Sequence, residues 1–162
     1  MKYAVAASSP TRPALLGQTS AVARQRSALA GAGAALLWAA VEPLDMRLLG
    51  NGYSDVAMLG KAVTRTRLWP LAGLAVHAAN GAIFGLVYSE ARHRSALPPR
   101  RLALGLALAE HTILFPLGLA VDRLHPARGE PGLAPMFTLR GFAQETLRHA
   151  VFDLALGRLA AY

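Results

Sequence analysis

The most constraining feature of the sequence is an apolar run from Leu68 to Tyr88, LWPLAGLAVHAANGAIFGLVY. Its only strongly polar side chains are His77 and Asn80, and about 20 apolar residues in a helix span the hydrocarbon core of a bilayer. Trp69 and Tyr88 lie at its ends, where interfacial aromatic residues are enriched. The run predicts a transmembrane helix over residues 68–88.

Two further runs reach the same length. Residues 102–121 are apolar except near the middle, where Glu110 and His111 interrupt them. Residues 28–49 are uncharged in their first half and polar in their second, with Pro43 at the position where we expect a kink. Both runs predict membrane spans.

Residues 137–160 contain too many charges to be recognised by hydropathy. Their polar residues fall at helical spacing, with Gln144 and Arg148 on one row and Glu145, His149 and Asp153 on the next. This pattern predicts an amphipathic helix. It either lies in the membrane interface or spans with its polar stripe turned toward the other helices.

Composition agrees with a helical membrane protein. Hydrophobic residues make up 54% and charged residues 16% of the 162, whereas soluble domains are about a quarter charged. The 33 Ala and 28 Leu favour helix over sheet, and the absence of cysteine excludes disulfides and thiolate metal sites. We therefore predict an all-α, integral membrane four-helix bundle in residues 28–162, after a disordered cytoplasmic tail in residues 1–27.

The net charge of +8 is carried by 15 Arg and 2 Lys. The arginines flank the apolar runs, as topology signals and contacts to anionic lipid headgroups do, so we expect a lipid bilayer rather than nucleic acid as the partner. The excess of Arg over Lys, together with the many alanines, is typical of a GC-rich bacterial genome. We expect a multi-pass inner-membrane protein with both termini in the cytoplasm, as a homo-oligomer or within a larger membrane complex.

The four predicted helices carry polar residues at similar depths. Because ionisable side chains are costly at the bilayer centre, they should face inward and pair with one another. The predicted polar mid-membrane layer comprises Glu42, His77, Asn80, Glu110, His111, Glu145, Arg148, His149 and Asp153. Gly81 and Gly85 form a small-residue stripe for helix packing.

A spacing match links the two halves of the chain. His77-Ala78, Gly81 and Gly85 correspond to His149-Ala150, Asp153 and Gly157. The match predicts two repeated two-helix units, each supplying a carboxylate from its first helix and a histidine from its second.

The pattern of His77, Gly81 and Gly85 followed by Tyr88 resembles the small four-helix inner-membrane proteins of the YagU-like kind. The resemblance covers the second and fourth predicted helices, and the fourth departs from it at Asp153. It implies an inner-membrane location and four spans, without a biochemical activity.

Four functional interpretations are open. The first is a structural or accessory membrane protein, in which Arg148 pairs with Glu145 or Glu110 and the polar layer fixes helix register. The second is a small proton or solute transporter or channel, which would use exchange among Glu110, His111 and Glu42.

The third interpretation is a metal- or haem-binding membrane protein. His77, His111, Glu145 and His149 are the candidate ligands, since nitrogen and oxygen donors suit zinc, iron or manganese. The fourth is an enzyme, but the sequence contains none of the common catalytic motifs, such as Gly-x-Ser-x-Gly, His-Glu-x-x-His or a P-loop. No catalytic residue is predicted.

Overall fold

The computed structural model describes residues 12–160, with side chains from residue 21 onward. The described residues form helices joined by short connections, so the all-α prediction is confirmed. The helices are α1 (Arg12–Leu49), α2 (Asp55–Val63), α3 (Trp69–Arg94), α4 (Pro99–Leu114), α5 (Gly118–Leu124) and α6 (Leu139–Leu159). A 3₁₀ turn at Phe115–Leu117, which contains Pro116, joins α4 to α5.

Three helical segments are long and apolar enough to cross a membrane. They are Ala21–Leu49, Trp69–Arg94 and Pro99–Leu124, each of which contains most of one predicted span. They indicate a multi-pass membrane protein. The fourth predicted span, now helix α6, does not reach the same hydropathy.

Helix α1 begins earlier than the sequence suggested. Residues 12–27, which we placed in a disordered tail, are helical, and the rest of that predicted tail lies outside the described residues. Pro13 explains part of the difference, because proline is well tolerated in the first turn of a helix, where its missing N–H would have no partner. Alanine and leucine then favour continuation of the helix.

Helices α1 and α3 approach each other closely along a stripe of small residues. A Cβ atom on Gly81 would meet the carbonyl oxygen of Gly31, and one on Gly85 would meet that of Ser27. Backbones come this close in membranes where small residues line the interface. Helix α2 packs on the start of α3 in the same way, through Gly60 and Gly73.

The segment that follows α1 turns back along it. Gly50 has a φ of +61°, a left-handed conformation that glycine adopts without strain. The chain then returns, so that the backbone N–H of Asp55 lies 2.9 Å from the carboxylate of Glu42, about two helical turns before α1 ends. Residues 50–67, which lie between the first two predicted spans, thus place the start of α2 beside α1 and α6.

The distribution of side chains is the reverse of that in a soluble protein. Half of the residues in the apolar core are alanine, and its large members are Trp38, Tyr88, Leu102, Phe152 and Leu156. Charged residues such as Arg148 and Asp153 are buried, while Ile113 is 73% exposed and Leu139 is 90% exposed. An apolar exterior around a polar interior suits a lipid surrounding.

Candidate functional site

Arg148, on α6, is the centre of a buried ionic network, and its relative exposure is 0%. Its Nε and Nη2 donate to the two carboxylate oxygens of Asp45 at 2.6 and 2.8 Å. Its Nη1 donates to Asp55 at 2.8 Å and to Glu145 at 3.1 Å, and Nη2 also donates to the carbonyl oxygen of Tyr53 at 2.8 Å. A guanidinium has five N–H donors, so all of the hydrogen-bonding capacity of Arg148 is used inside the protein.

Glu42 connects this network to the start of α2. Its carboxylate accepts from the hydroxyl of Ser54 at 2.5 Å and from the backbone N–H of Asp55 at 2.9 Å, and it lies 3.9 Å from Arg148. Ser54 is also the N-cap of α2 and accepts from the N–H of Ala57. A carboxylate at a helix N-terminus satisfies unpaired N–H groups and interacts favourably with the helix dipole.

Gln144 joins α6 to the returning segment. Its amide nitrogen donates to Asp45 at 2.6 Å, and its amide oxygen accepts from the side chain of Asn51 at 2.8 Å. The same nitrogen lies within hydrogen-bond distance of the carbonyl oxygens of Asn51 and Tyr53. Together with Arg148, Gln144 fixes residues 51–55 against α6.

Two aromatic side chains complete the environment of Asp55. The indole N–H of Trp38 donates to one carboxylate oxygen and the hydroxyl of Tyr53 donates to the other, both at 3.1 Å. Burial raises the pKa of Tyr53 well above its ordinary value of 10.0, and the negative charge of Asp55 raises it further. Tyr53 therefore remains a neutral hydrogen-bond donor under physiological conditions.

A cavity of about 240 Å³ lies next to this network, between helices α1, α2, α3, α4 and α6. It is lined by polar groups and by aromatic rings. The polar lining comprises His77, Asn80, Glu110, His111, Glu145 and His149, with Asp55 at the border to the ionic network. Trp38, Phe84 and Phe152 are among the aromatic side chains.

The hydrogen bonds of His149 define its tautomer. Its Nδ1 lies 2.8 Å from the backbone carbonyl oxygen of Glu145, which can only accept, so Nδ1 carries the proton. In the neutral ring, Nε2 is then an acceptor, and it lies 3.9 Å from a carboxylate oxygen of Glu110. This pair brings a base and an acid together on the cavity wall.

His111 has the opposite tautomer. The hydroxyl of Thr146 donates to the carbonyl oxygen of Phe142 at 2.7 Å, so its oxygen accepts from the ring Nε2 of His111 at 3.0 Å. In the neutral ring, Nδ1 of His111 is left as an acceptor. The rings of His111 and His149 lie 4.8 Å apart between centroids.

His77 and Asp153 contain buried polar atoms without a hydrogen-bond partner among the described residues. They are Nε2 of His77 and both carboxylate oxygens of Asp153. The rings of His77 and His149 each pack edge-on against the indole of Trp38, at 5.1 and 4.7 Å between centroids. Buried polar atoms are rarely left unpaired, and such atoms are often functional.

A second cavity of about 310 Å³ lies among the residues that follow α5. Two polar side chains of its lining are hydrogen-bonded within the protein: Asp122 accepts from the backbone N–H groups of Met136 and Phe137, and Nε2 of His125 donates to the carbonyl of Met58. A third, Arg128, is exposed and donates to the carbonyl of Arg123. The cavity lined by the histidines is therefore the better candidate for a functional site.

The structure divides the predicted polar layer into two groups. Glu42, Glu145 and Arg148 belong to the ionic network, which confirms the network itself. Arg148 pairs with Glu145, whereas Glu110 lies near His149 instead. The cavity-lining group consists of His77, Asn80, Glu110, His111 and His149, and Asp153 is buried on α6.

Several residues of the network were absent from the predicted layer. Asp45 follows Glu42 by one helical turn, so it shares a face of α1 with Glu42. Asp55 and Tyr53 lie between the first two predicted spans, whereas the polar layer was predicted from residues within the spans. The Ser54-Asp55 pair at the start of an amphipathic stretch was the available signal, since it is typical of a helix N-terminus.

The metal candidates do not converge. Within residues 12–160, no group of three or more His, Asp or Glu side chains is arranged to hold a metal ion. His77, His111, Glu145 and His149 all line the cavity, but Glu145 is paired with Arg148 and His149 faces Glu110.

The two segments of the proposed repeat pack against different helices. Gly81 and Gly85 lie against α1, and Gly157 lies against Arg100 and Ala103 of α4. The small-residue stripe on α3 thus packs within one chain, and the internal repeat stays a prediction.

No protein-family model, curated protein or solved structure matches this chain.

Proposed function

We propose that this chain is a small multi-pass membrane transport protein, whose cavity between the helices holds a small solute. The observation that carries the proposal is the cavity of about 240 Å³, with the facing pair Glu110 and His149 on its wall. Ionisable residues that line a cavity within membrane helices are typical of solute and proton pathways.

The contrast between the two polar groups supports this assignment. Every donor of Arg148 has a partner inside the protein, so the ionic network has a structural role and holds α1, the start of α2 and α6 together. His77 is hydrogen-bonded to the backbone of Ala35 through its other ring nitrogen, so its Nε2 is an acceptor in the neutral ring, as Nε2 of His149 is. Neither of these two atoms has a hydrogen-bond partner among the described residues. Groups with unused hydrogen-bonding capacity are those that can bind a solute or relay a proton.

The proposal places α6 within the membrane in contact with the other helices. Its buried residues include Gln144, Glu145, Arg148 and Asp153, while Leu139, Leu154 and Leu159 are exposed. A helix with its charged face inward and its leucines outward presents an apolar surface to lipid. We also place this protein in a bacterial inner membrane.

A structural or accessory role is the second candidate, and the complete pairing of Arg148 favours it. In that case the cavity is a packing gap between helices and water does not enter it. The two candidates differ in one measurable property, the accessibility of the cavity to aqueous reagents.

The absence of native cysteine allows a direct test by single-cysteine labelling. Asn80→Cys places a thiol on the cavity wall, and Ile83→Cys places one on the outer surface of α3, less than one turn away. In sealed proteoliposomes, a membrane-impermeant methanethiosulfonate reagent is applied from the outside or from the lumen. Both positions are exposed and lie at similar depth, and of the two only Asn80 lines the cavity, so the comparison tests cavity access.

We expect Asn80→Cys to react from each side at a rate about tenfold or more above that of Ile83→Cys, because only ionised thiols in water react rapidly. Reaction of Asn80→Cys from one side only would contradict transport. Equal, slow reaction of both variants would favour the structural role.

A further inference from the structure

We infer that the cavity takes a small organic cation, an ammonium group carried on an apolar or aromatic body. This inference rests on the proposed function and names the class of its solute. Its basis is the hydrogen-bonding character of the cavity wall, which offers acceptors from three helices and no cationic side chain among the described lining residues. The side-chain amide of Asn80 is a neutral donor in that lining.

The acceptors come from three helices. His77, on α3, has an unpartnered Nε2 and is more than nine-tenths buried. His149, on α6, presents Nε2 as an acceptor because its Nδ1 proton is bonded to the backbone. Glu110, on α4, adds a carboxylate whose oxygen lies 3.9 Å from Nε2 of this histidine. A solute that fits these groups must supply N–H or O–H donors.

The strong donors beside the cavity are already used. The five donors of Arg148 are bonded to other groups, as described above. The indole N–H of Trp38 and the hydroxyl of Tyr53 both donate to Asp55. No lysine or arginine is among the described residues that line the cavity. The described lining therefore offers an anionic solute no positive charge and no free guanidinium, indole or phenol donor.

The aromatic walls favour a cation in the same way. Trp38, Phe84 and Phe152 line the cavity together, and aromatic faces attract cations electrostatically. Three carboxyl side chains lie on the same walls. Asp55 and Glu145 are paired with Arg148, whereas Glu110 has no lysine or arginine partner among the described residues. The volume of about 240 Å³ is below the ~300–1,000 Å³ of pockets for drug-sized ligands, so the solute is small.

The test measures protection of Asn80→Cys from a neutral, water-soluble methanethiosulfonate reagent in proteoliposomes. Three probes share one ring: benzylammonium, neutral benzyl alcohol and anionic benzenesulfonate. The measurement is repeated with Glu110→Gln added and with Glu90→Gln added as the matched control. Glu90 pairs with Arg94 near the end of α3 and does not line the cavity.

We expect benzylammonium to slow the labelling in a saturable manner, and the other two probes to leave the rate unchanged. Glu110→Gln should raise the half-protecting concentration of benzylammonium about tenfold, since a charged partner is lost, whereas Glu90→Gln should not change it. The labelling rate without probe verifies that the cavity of each variant is intact.

The outcomes separate this inference from the proposed function. Protection by benzenesulfonate or benzyl alcohol equal to that by benzylammonium would overturn the cation assignment and leave an aqueous cavity in place. Absence of labelling in every sample would refute the proposed function itself. Protection unaffected by Glu110→Gln would also overturn the inference, because it assigns the cation to that carboxylate.

Discussion

Replacement of Arg148 by methionine should strongly destabilise the fold. The change removes five hydrogen bonds and leaves the carboxylates of Asp45, Asp55 and Glu145 buried without their cation. Removal of one partner from a buried ion pair costs about 3–5 kcal/mol. At ~2–4 °C per kcal/mol for a chain of this size, the thermal midpoint in mild detergent should fall by about 10 °C. Methionine retains the apolar stem, so lost packing contributes little.

Arg158→Met is the matched control, because Arg158 is exposed on the same helix. Its unfolding midpoint should stay within about 2 °C of the parent protein, as surface substitutions usually do. A double-mutant cycle with Asp45→Asn adds a second criterion. The double variant should lose less free energy of unfolding than the two single variants lose in total, because each single change already removes the same ion pair. If Arg148→Met unfolds at the same temperature as Arg158→Met, the ionic network does not stabilise the fold.

Three further predictions concern the packing, the pH response and the start of α2. Gly85→Ala should lower the unfolding midpoint, because the added Cβ would meet the carbonyl of Ser27. Gly105→Ala is the control: open space surrounds it, so the change should raise the free energy of unfolding by up to about 1 kcal/mol. Equal midpoints for the two variants would contradict the close approach of α1 and α3. The raised pKa of Tyr53 means that the folded state holds this proton more tightly than the unfolded chain does, so stability should fall as the pH rises above 10.0. In chemical denaturation measured at a series of pH values above 10.0, the free energy of unfolding should fall less steeply with pH in Tyr53→Phe than in the parent protein. An unchanged slope would refute the raised pKa of Tyr53. Ser54→Ala should cost about 1–2 kcal/mol, since it removes the N-cap of α2 and the hydroxyl bonded to Glu42; Ser95→Ala, at an exposed helix end, is its control.

The sequence predicted the elements whose signal is local. The apolar runs defined the three long helices, and the spacing of Arg148 and Glu145 predicted one polar face on α6. The sequence did not predict that the chain after α1 turns back, because that path depends on tertiary hydrogen bonds that residues 51–55 donate to Glu42 and Gln144. Asp55 consequently looked like part of a solvated connection, although it is a direct partner of Arg148.

The proposed function places helix α6 within the membrane, although it is not among the three helices whose hydropathy indicates a span. A hydropathy window averages all faces of a helix, whereas the charged residues in the middle of α6, Glu145, Arg148 and Asp153, are buried, and the exposed Arg140 and Arg158 lie near its ends. Two of the buried charges are neutralised inside the protein: Arg148 by carboxylates from α1 and α2, and Glu145 by Arg148. The face left outside carries leucines, including Leu154, which is 60% exposed. In the proposed arrangement lipid would contact that outer face, because the buried charges of Arg148 and Glu145 are paired with partners inside the protein. The polar sequence of α6 is therefore what allows it to pack against the other helices, and it is compatible with an apolar surrounding.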